Sequence, residues 1–221
     1  MASPKRVGVV LAGCGFLDGA EIHEAVSTLL ALDRRGARPV AAAPDVEQRH
    51  VVDHVKGEPA EGPGRNVLVE SARIVRGQIV DLAKLSAKDV DALVFAGGYG
   101  VAKNLCTFAF EGRRMTVLPE VERVVRELRT AGKPLGFICI SPVIAARVLG
   151  SEKVKVTIGN DRDTASAIES WGARHVECKV EEIAVDERLK VVSTPAYMLG
   201  PWIAPVYAGI DKLVSTLLEM A

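Results

Sequence analysis

The stretch Gly136-Phe137-Ile138-Cys139-Ile140-Ser141-Pro142 decides how this chain is read. Its first half is apolar without alternation, the pattern of a strand buried on both faces of a parallel sheet. Ser141-Pro142 then supplies an N-cap and a proline at the first helical position. A buried strand that turns at once into a helix is half of a βαβ unit, and the flanking sequence repeats the pattern. Strands are predicted over Val7–Gly13, Pro39–Ala43, Asp91–Ala96, Pro134–Ile138, Lys153–Val156, His175–Val180 and Lys190–Thr194. Between them lie helical patterns: Glu21–Arg35 closed by Gly36, Asn66–Val75 by Gly77, and Leu118–Thr130 by Gly132. Pro142–Leu149 closed by Gly150, Thr164–Trp171 closed by Gly172, and Ile203–Met220 complete the set. Glycine just past a helix serves as a left-handed cap. This alternation predicts a doubly wound α/β sandwich, in which ligands sit at the carboxyl ends of the strands.

Composition narrows the function classes. The 221 residues carry 28 Lys+Arg against 28 Asp+Glu, with 48% hydrophobic residues. Zero formal charge removes the cationic excess a nucleic-acid binder uses to neutralise phosphates. Residues 191–210 carry no charge over a length that could span a bilayer. However, Pro195, Gly200, Pro201, Pro205 and Gly209 interrupt them as a helix, so no membrane span is expected. Lys5-Arg6 followed by Val7–Cys14 imitates a lipoprotein signal, yet the same residues read better as a buried first strand. Cys14, Cys106, Cys139 and Cys178 show no CxxC spacing, which favours free thiols in a reducing cytoplasm.

Three strand ends hold residues that can carry chemistry. Cys139 lies between strand end and helix start, mechanically a nucleophile elbow, where helix amides and dipole favour the thiolate. The competing reading makes it a small buried hydrophobe. Ala96-Gly97-Gly98-Tyr99-Gly100 follows the third strand, and its glycines would let backbone N–H groups approach a bound oxygen; a plain turn is the alternative. Cys14-Gly15-Phe16-Leu17-Asp18-Gly19-Ala20-Glu21-Ile22-His23-Glu24 opens through glycines into a helix. Glu21 and Glu24 lie one turn apart there, either as dipole-favoured acids or as a carboxyl over the thiol. In the second case thiol and carboxyl would share one proton. His50-Val51-Val52-Asp53-His54 imitates a metal string but offers no third ligand, so no metal is expected. Gly13-Cys14-Gly15 lacks the third glycine of a dinucleotide loop.

These residues, together with Val9–Gly15, Asp18–Val26, Ala102-Lys103-Asn104-Leu105, Gly132–Ile140, Asp161–Ala165 and Thr194–Leu199, resemble one family nearly end to end. It is the ElbB-type glyoxalases, named for enhanced lycopene biosynthesis, in the PfpI-like class I glutamine-amidotransferase-like superfamily. The resemblance implies a flavodoxin-like three-layer α/β sandwich with a mostly parallel central sheet, one domain over 1–221, often dimeric. It also implies cofactor-free conversion of a small dicarbonyl, glyoxal, to glycolate, with a deglycase activity beside it. In that frame Cys139 is the nucleophile and Glu24 its acidic partner, with Glu21 as fallback. Gly97, Gly98, Tyr99 and Ile140 would form the oxyanion pocket, and His23, Asn104 and Cys14 are auxiliary candidates. One departure matters: Ile140 follows the cysteine where related enzymes place a histidine, so no base for activating the thiol is evident. That argues against glutaminase action. It also keeps open a non-catalytic, redox-sensing role linked to isoprenoid metabolism.

Overall fold

The computed structural model describes residues 3–221. In chain order its strands are β1 (Arg6–Val10), β2 (Arg38–Ala43), β3 (Val52–Asp53), β4 (Glu58–Pro59), β5 (Val80–Asp81) and β6 (Ala92–Phe95). β7 (Leu135–Ile138), β8 (Lys155–Val156), β9 (Arg174–His175), β10 (Ala184–Asp186) and β11 (Val191–Thr194) follow. The helices are α1 (Ile22–Asp33), α2 (Val67–Ile74), α3 (Phe108–Glu111), α4 (Pro119–Thr130), α5 (Pro142–Leu149), α6 (Arg162–Ser170) and α7 (Ile203–Met220).

Seven strands form one sheet in the order β10-β11-β7-β6-β1-β2-β5. All neighbours pair in parallel except β10 with β11. The α/β fold with a mostly parallel central sheet is therefore as expected. The strands β1, β6, β7 and β11 are buried almost throughout, which is why they read as apolar runs without alternation. One face is covered by α1, α2 and α7, whose Ala25, Leu32, Val67, Ile210 and Leu213 join one core. On the opposite face Val121, Val124, Leu128, Ile144 and Ile168, from α4, α5 and α6, join a second core.

Chain order reverses at β1, which has β2 on one side and β6 on the other, and this opens a crevice at the carboxyl edge. Register fixes what meets there. Phe95 of β6 pairs with Phe137 of β7, and their fully buried rings stack at 5.1 Å between centroids. Burial of each ring contributes about 1.5–3 kcal/mol. Two residues beyond this pair, Gly97 and Cys139 emerge side by side.

The structure corrects several boundaries. Strand β1 ends at Val10 rather than Gly13, because the glycine loop departs there. The predicted strands Lys153–Val156 and His175–Val180 shrink to β8 and β9, a separate two-stranded ribbon outside the main sheet. β5 and β10, both short edge strands, had no sequence signal. Gly150 is right-handed and continues into a tight turn, and Lys153, at φ +57°, takes the left-handed position instead. Ser141 makes no N-cap hydrogen bond. Its hydroxyl accepts from the Ile138 amide at 2.7 Å instead, bracing the strand end from below.

Candidate active site

Cys139 follows β7 at φ +62°, left-handed backbone that a side chain adopts only at a cost of about 1–2 kcal/mol. The surroundings hold it there. Its amide donates to Thr194 O at 3.0 Å, while Ser141 Oγ, bonded to Ile138, clamps the turn below. The kink lifts the thiol off the end of the sheet to the floor of a cavity of about 810 Å³. Only 7% of the residue is exposed.

Glu24 comes from the first turn of α1. Glu21 is the N-cap there, its carboxylate accepting from the Glu24 amide at 2.7 Å. That cap turns Glu24 inward, where it is fully buried. Its Oε1 accepts from the Tyr197 amide at 3.2 Å. The Gly97 amide and the Cys139 thiol lie beside the carboxyl, but neither is directed well enough at Oε2 to satisfy it. That oxygen carries no hydrogen bond among the described residues. A methyl group at Gly97 would collide with both Glu24 Oε2 and Cys139 Cβ. Only glycine lets the two groups close in.

The electrostatics follow from this burial. Loss of solvent, then the charge of Glu21, pushes Glu24 up to about 8, against the opposing Tyr197 amide, Cys139 and Gly97. Burial, then the Glu24 charge, raises the Cys139 thiol well above its ordinary value; the amides of Gly98 and Ile140 pull the other way. The helix dipole alone had suggested a depressed thiol. The structure reverses that expectation, because desolvation and a like charge outweigh two amides. The two resist ionising together: Glu24 gives up its proton first, at about 8, and from there until the thiol ionises the pair holds a single proton between them.

The remaining candidates separate into two sets. Gly98, Tyr99, Ile140, Glu21 and His23 line the cavity with Cys139. Gly98 and Ile140 turn their amides to the sulfur, whereas the Gly97 amide lies beside Glu24. His23 is half-exposed, and its Nδ1 pairs with the Tyr197 hydroxyl at 2.8 Å. Asn104 and Cys14 do not line the cavity. The Asn104 amide group donates to Ala12 O and Asp18 O and accepts from the Arg49 amide, tying three loops together. Cys14 sits among Glu70, Arg73, Asp18 and Arg65, its thiol pushed up chiefly by burial. His54 of the metal-like string bonds the Leu17 amide, and no group of three or more metal-ligating side chains occurs among the described residues.

Sequence reasoning missed Tyr197, whose amide anchors Glu24 and whose hydroxyl holds His23. It follows β11 at the same sheet edge, so its place after a strand end was the available signal. Phe16, Phe108, Asp161 and Trp202 also line the cavity. Phe108 opens the four-residue helix α3 and the others lie outside helices and strands, so no periodicity reports their approach.

No family model matches the chain. It is 50% identical over 224 residues to the human glutamine amidotransferase-like class 1 domain-containing protein 3, mitochondrial, covering 97% of this chain and 83% of that protein. The zebrafish (Danio rerio) ES1 protein, mitochondrial, is 39% identical, covering 97% and 86% respectively. Among solved structures, an isoprenoid biosynthesis protein with an amidotransferase-like domain from Ehrlichia chaffeensis superposes with TM-score 0.90 at 41% identity. That match covers 98% of this chain and 99% of the other.

Proposed function

The chain belongs to the glutamine amidotransferase-like class 1 (ES1) family, and from that premise we propose that it is a slow, cofactor-independent glyoxalase acting through Cys139. The observation that carries this reading is the fully buried Glu24 carboxyl, held against the thiol at the floor of a cavity.

In this reaction the Cys139 sulfur bonds to one aldehyde carbon of glyoxal. The proton held between thiol and Glu24 passes to the former carbonyl oxygen, giving a hemithioacetal. While negative charge develops on that oxygen, the amides of Gly98 and Ile140 are the donors at hand. Glu24, left as the carboxylate by that transfer, takes the proton from the sulfur-bearing carbon. Returning it to the second carbon, while the hydroxyl proton of the hemithioacetal passes to the second oxygen, leaves a thioester beside a CH₂OH group: one carbon is oxidised, the other reduced. Water cleaves the carbon–sulfur bond, releasing glycolate and restoring the thiol. Glu21 lines the cavity and is the group available to activate that water. Removal of early glyoxal adducts from amines and thiols would use the same thiol. The protein would work as a homodimer in the cytoplasm, a reducing compartment that suits a free cysteine.

A redox-sensing role fits less well, since sensing thiols are exposed and of depressed pKa, and Cys139 is neither. Glutamine hydrolysis needs a base on the thiol, and the histidine at this cavity is engaged with Tyr197. The test is glycolate formation from glyoxal by the purified protein. Wild type is expected to exceed buffer and Cys139→Ser to fall to the buffer level with its fold intact. No glycolate above buffer from wild type overturns the reading.

A further inference from the structure

The cavity above Cys139 is far larger than glyoxal requires. Its volume of about 810 Å³ falls in the range that buries ligands of drug size, roughly 300–1,000 Å³. Glyoxal has only two carbons and two oxygens. The walls are aromatic: Phe16, Tyr99, Phe108, Tyr197 and Trp202 all face the space. Three of these remain open to solvent, Phe16 by 48%, Tyr99 by 55% and Trp202 by 74%. Large aromatic groups gathered around a cleft and left facing water mark a surface that something apolar covers.

The charges at the same cavity restrict what that can be. Glu21 and Asp161 contribute carboxyl groups, and no lysine or arginine among the described residues lines the space. An anionic ligand would lose its hydration there without a cation to replace it, next to groups of its own sign.

Resting on the glyoxalase reading, we propose that the substrates are 2-oxoaldehydes whose second carbonyl carries an uncharged apolar or aromatic group, and that anionic ones are rejected. The aldehyde reaches Cys139 at the floor, and the substituent lies among Tyr99, Phe108 and Trp202. The same electrostatics helps product leave, because the reaction turns a neutral 2-oxoaldehyde into a 2-hydroxycarboxylate inside a cavity lined by no lysine or arginine among the described residues.

Turnover and binding test this separately. The kcat/KM for phenylglyoxal, corrected for the Cys139→Ser background, is expected to exceed that for glyoxal and for 4-carboxyphenylglyoxal at least tenfold. Trp202→Ala should narrow the ratio of phenylglyoxal to glyoxal. In calorimetric titrations of wild type, acetophenone, which has no aldehyde to react, should bind at least tenfold tighter than benzoate. Equal or better kcat/KM with glyoxal or the carboxylated analogue overturns the proposal, as does benzoate binding as well as acetophenone. If no aldehyde turns over while acetophenone is still preferred, the glyoxalase reading fails and the selectivity of the cavity stands.

Discussion

The Glu24 carboxyl and the Cys139 side chain meet in the space that Gly97 leaves open by having no side chain. Neither group could take its position if residue 97 carried a Cβ. The chemistry of the site thus depends on an absent methyl group as much as on the two groups that react.

Gly97→Ala is therefore expected to displace the pair. Overpacking a filled site costs about 1–3 kcal/mol, and moving reacting groups by about 1 Å costs roughly 100-fold in rate. Steady-state turnover of an aldehyde substrate, read beside a thermal melt, checks both. Unchanged turnover would remove Gly97 from this role.

Glu24→Gln keeps the shape and removes the ionisable proton. Catalysis should fall by about 10²–10⁴-fold, the usual weight of a positioned acid–base group. The thiol should respond in the opposite sense. The Glu24 charge raises Cys139, so without it alkylation by iodoacetamide should begin at lower pH, thiolate fraction rising about tenfold for each pKa unit recovered. Peptide mass spectrometry separates Cys139 from the half-buried Cys14.

Stability should carry the same signature. Glu24 rises from an ordinary 4.5 to about 8 on folding, so the folded state binds its proton more tightly than the unfolded chain does. Its favourable contribution is complete below about pH 4.5 and is lost as pH climbs through about 8. Across that window wild type should lose stability relative to Glu24→Gln, by a few kcal/mol at most at ~1.4 kcal/mol per unit. Urea denaturation of both proteins at pH 5, 7 and 9 measures it; parallel curves would show that Glu24 is not held protonated.

Two buried polar residues should separate cleanly. Ser141→Ala strands the Ile138 amide and should cost about 1–3 kcal/mol, with a loss of turnover because the elbow carrying Cys139 loosens. Asn104→Ala leaves the Ala12 and Asp18 carbonyls and the Arg49 amide without partners. It should cost a similar amount of stability while kcat stays close to wild type. Chemical denaturation with parallel kinetics distinguishes the two patterns.

Much of the architecture was legible along the chain. Strands β1, β6, β7 and β11 are buried on both faces and so announce themselves as apolar runs. Long helices such as α4 and α7 show their periodic buried faces. The short edge strands β5 and β10 left no comparable trace, since two or three residues hold no period to detect. Cys139, Gly97 and Gly98 could be named from strand ends, and Glu24 as one of two first-turn acids between which the family resemblance chose, while Asn104 and Cys14 were drawn in by sequence alone. The structure assigns Asn104 to holding loops together.

The sequence by itself determined which side chains stand at the carboxyl edge of a parallel sheet, because the order of buried runs, caps and glycines is written locally. Only the tertiary structure decided how they ionise and what surrounds them. The upward-shifted Cys139–Glu24 pair, and the aromatic cavity built by Phe16, Tyr99, Phe108, Tyr197 and Trp202, come from segments far apart in the chain. Desolvation and contact depend on distance in space, which no local pattern records.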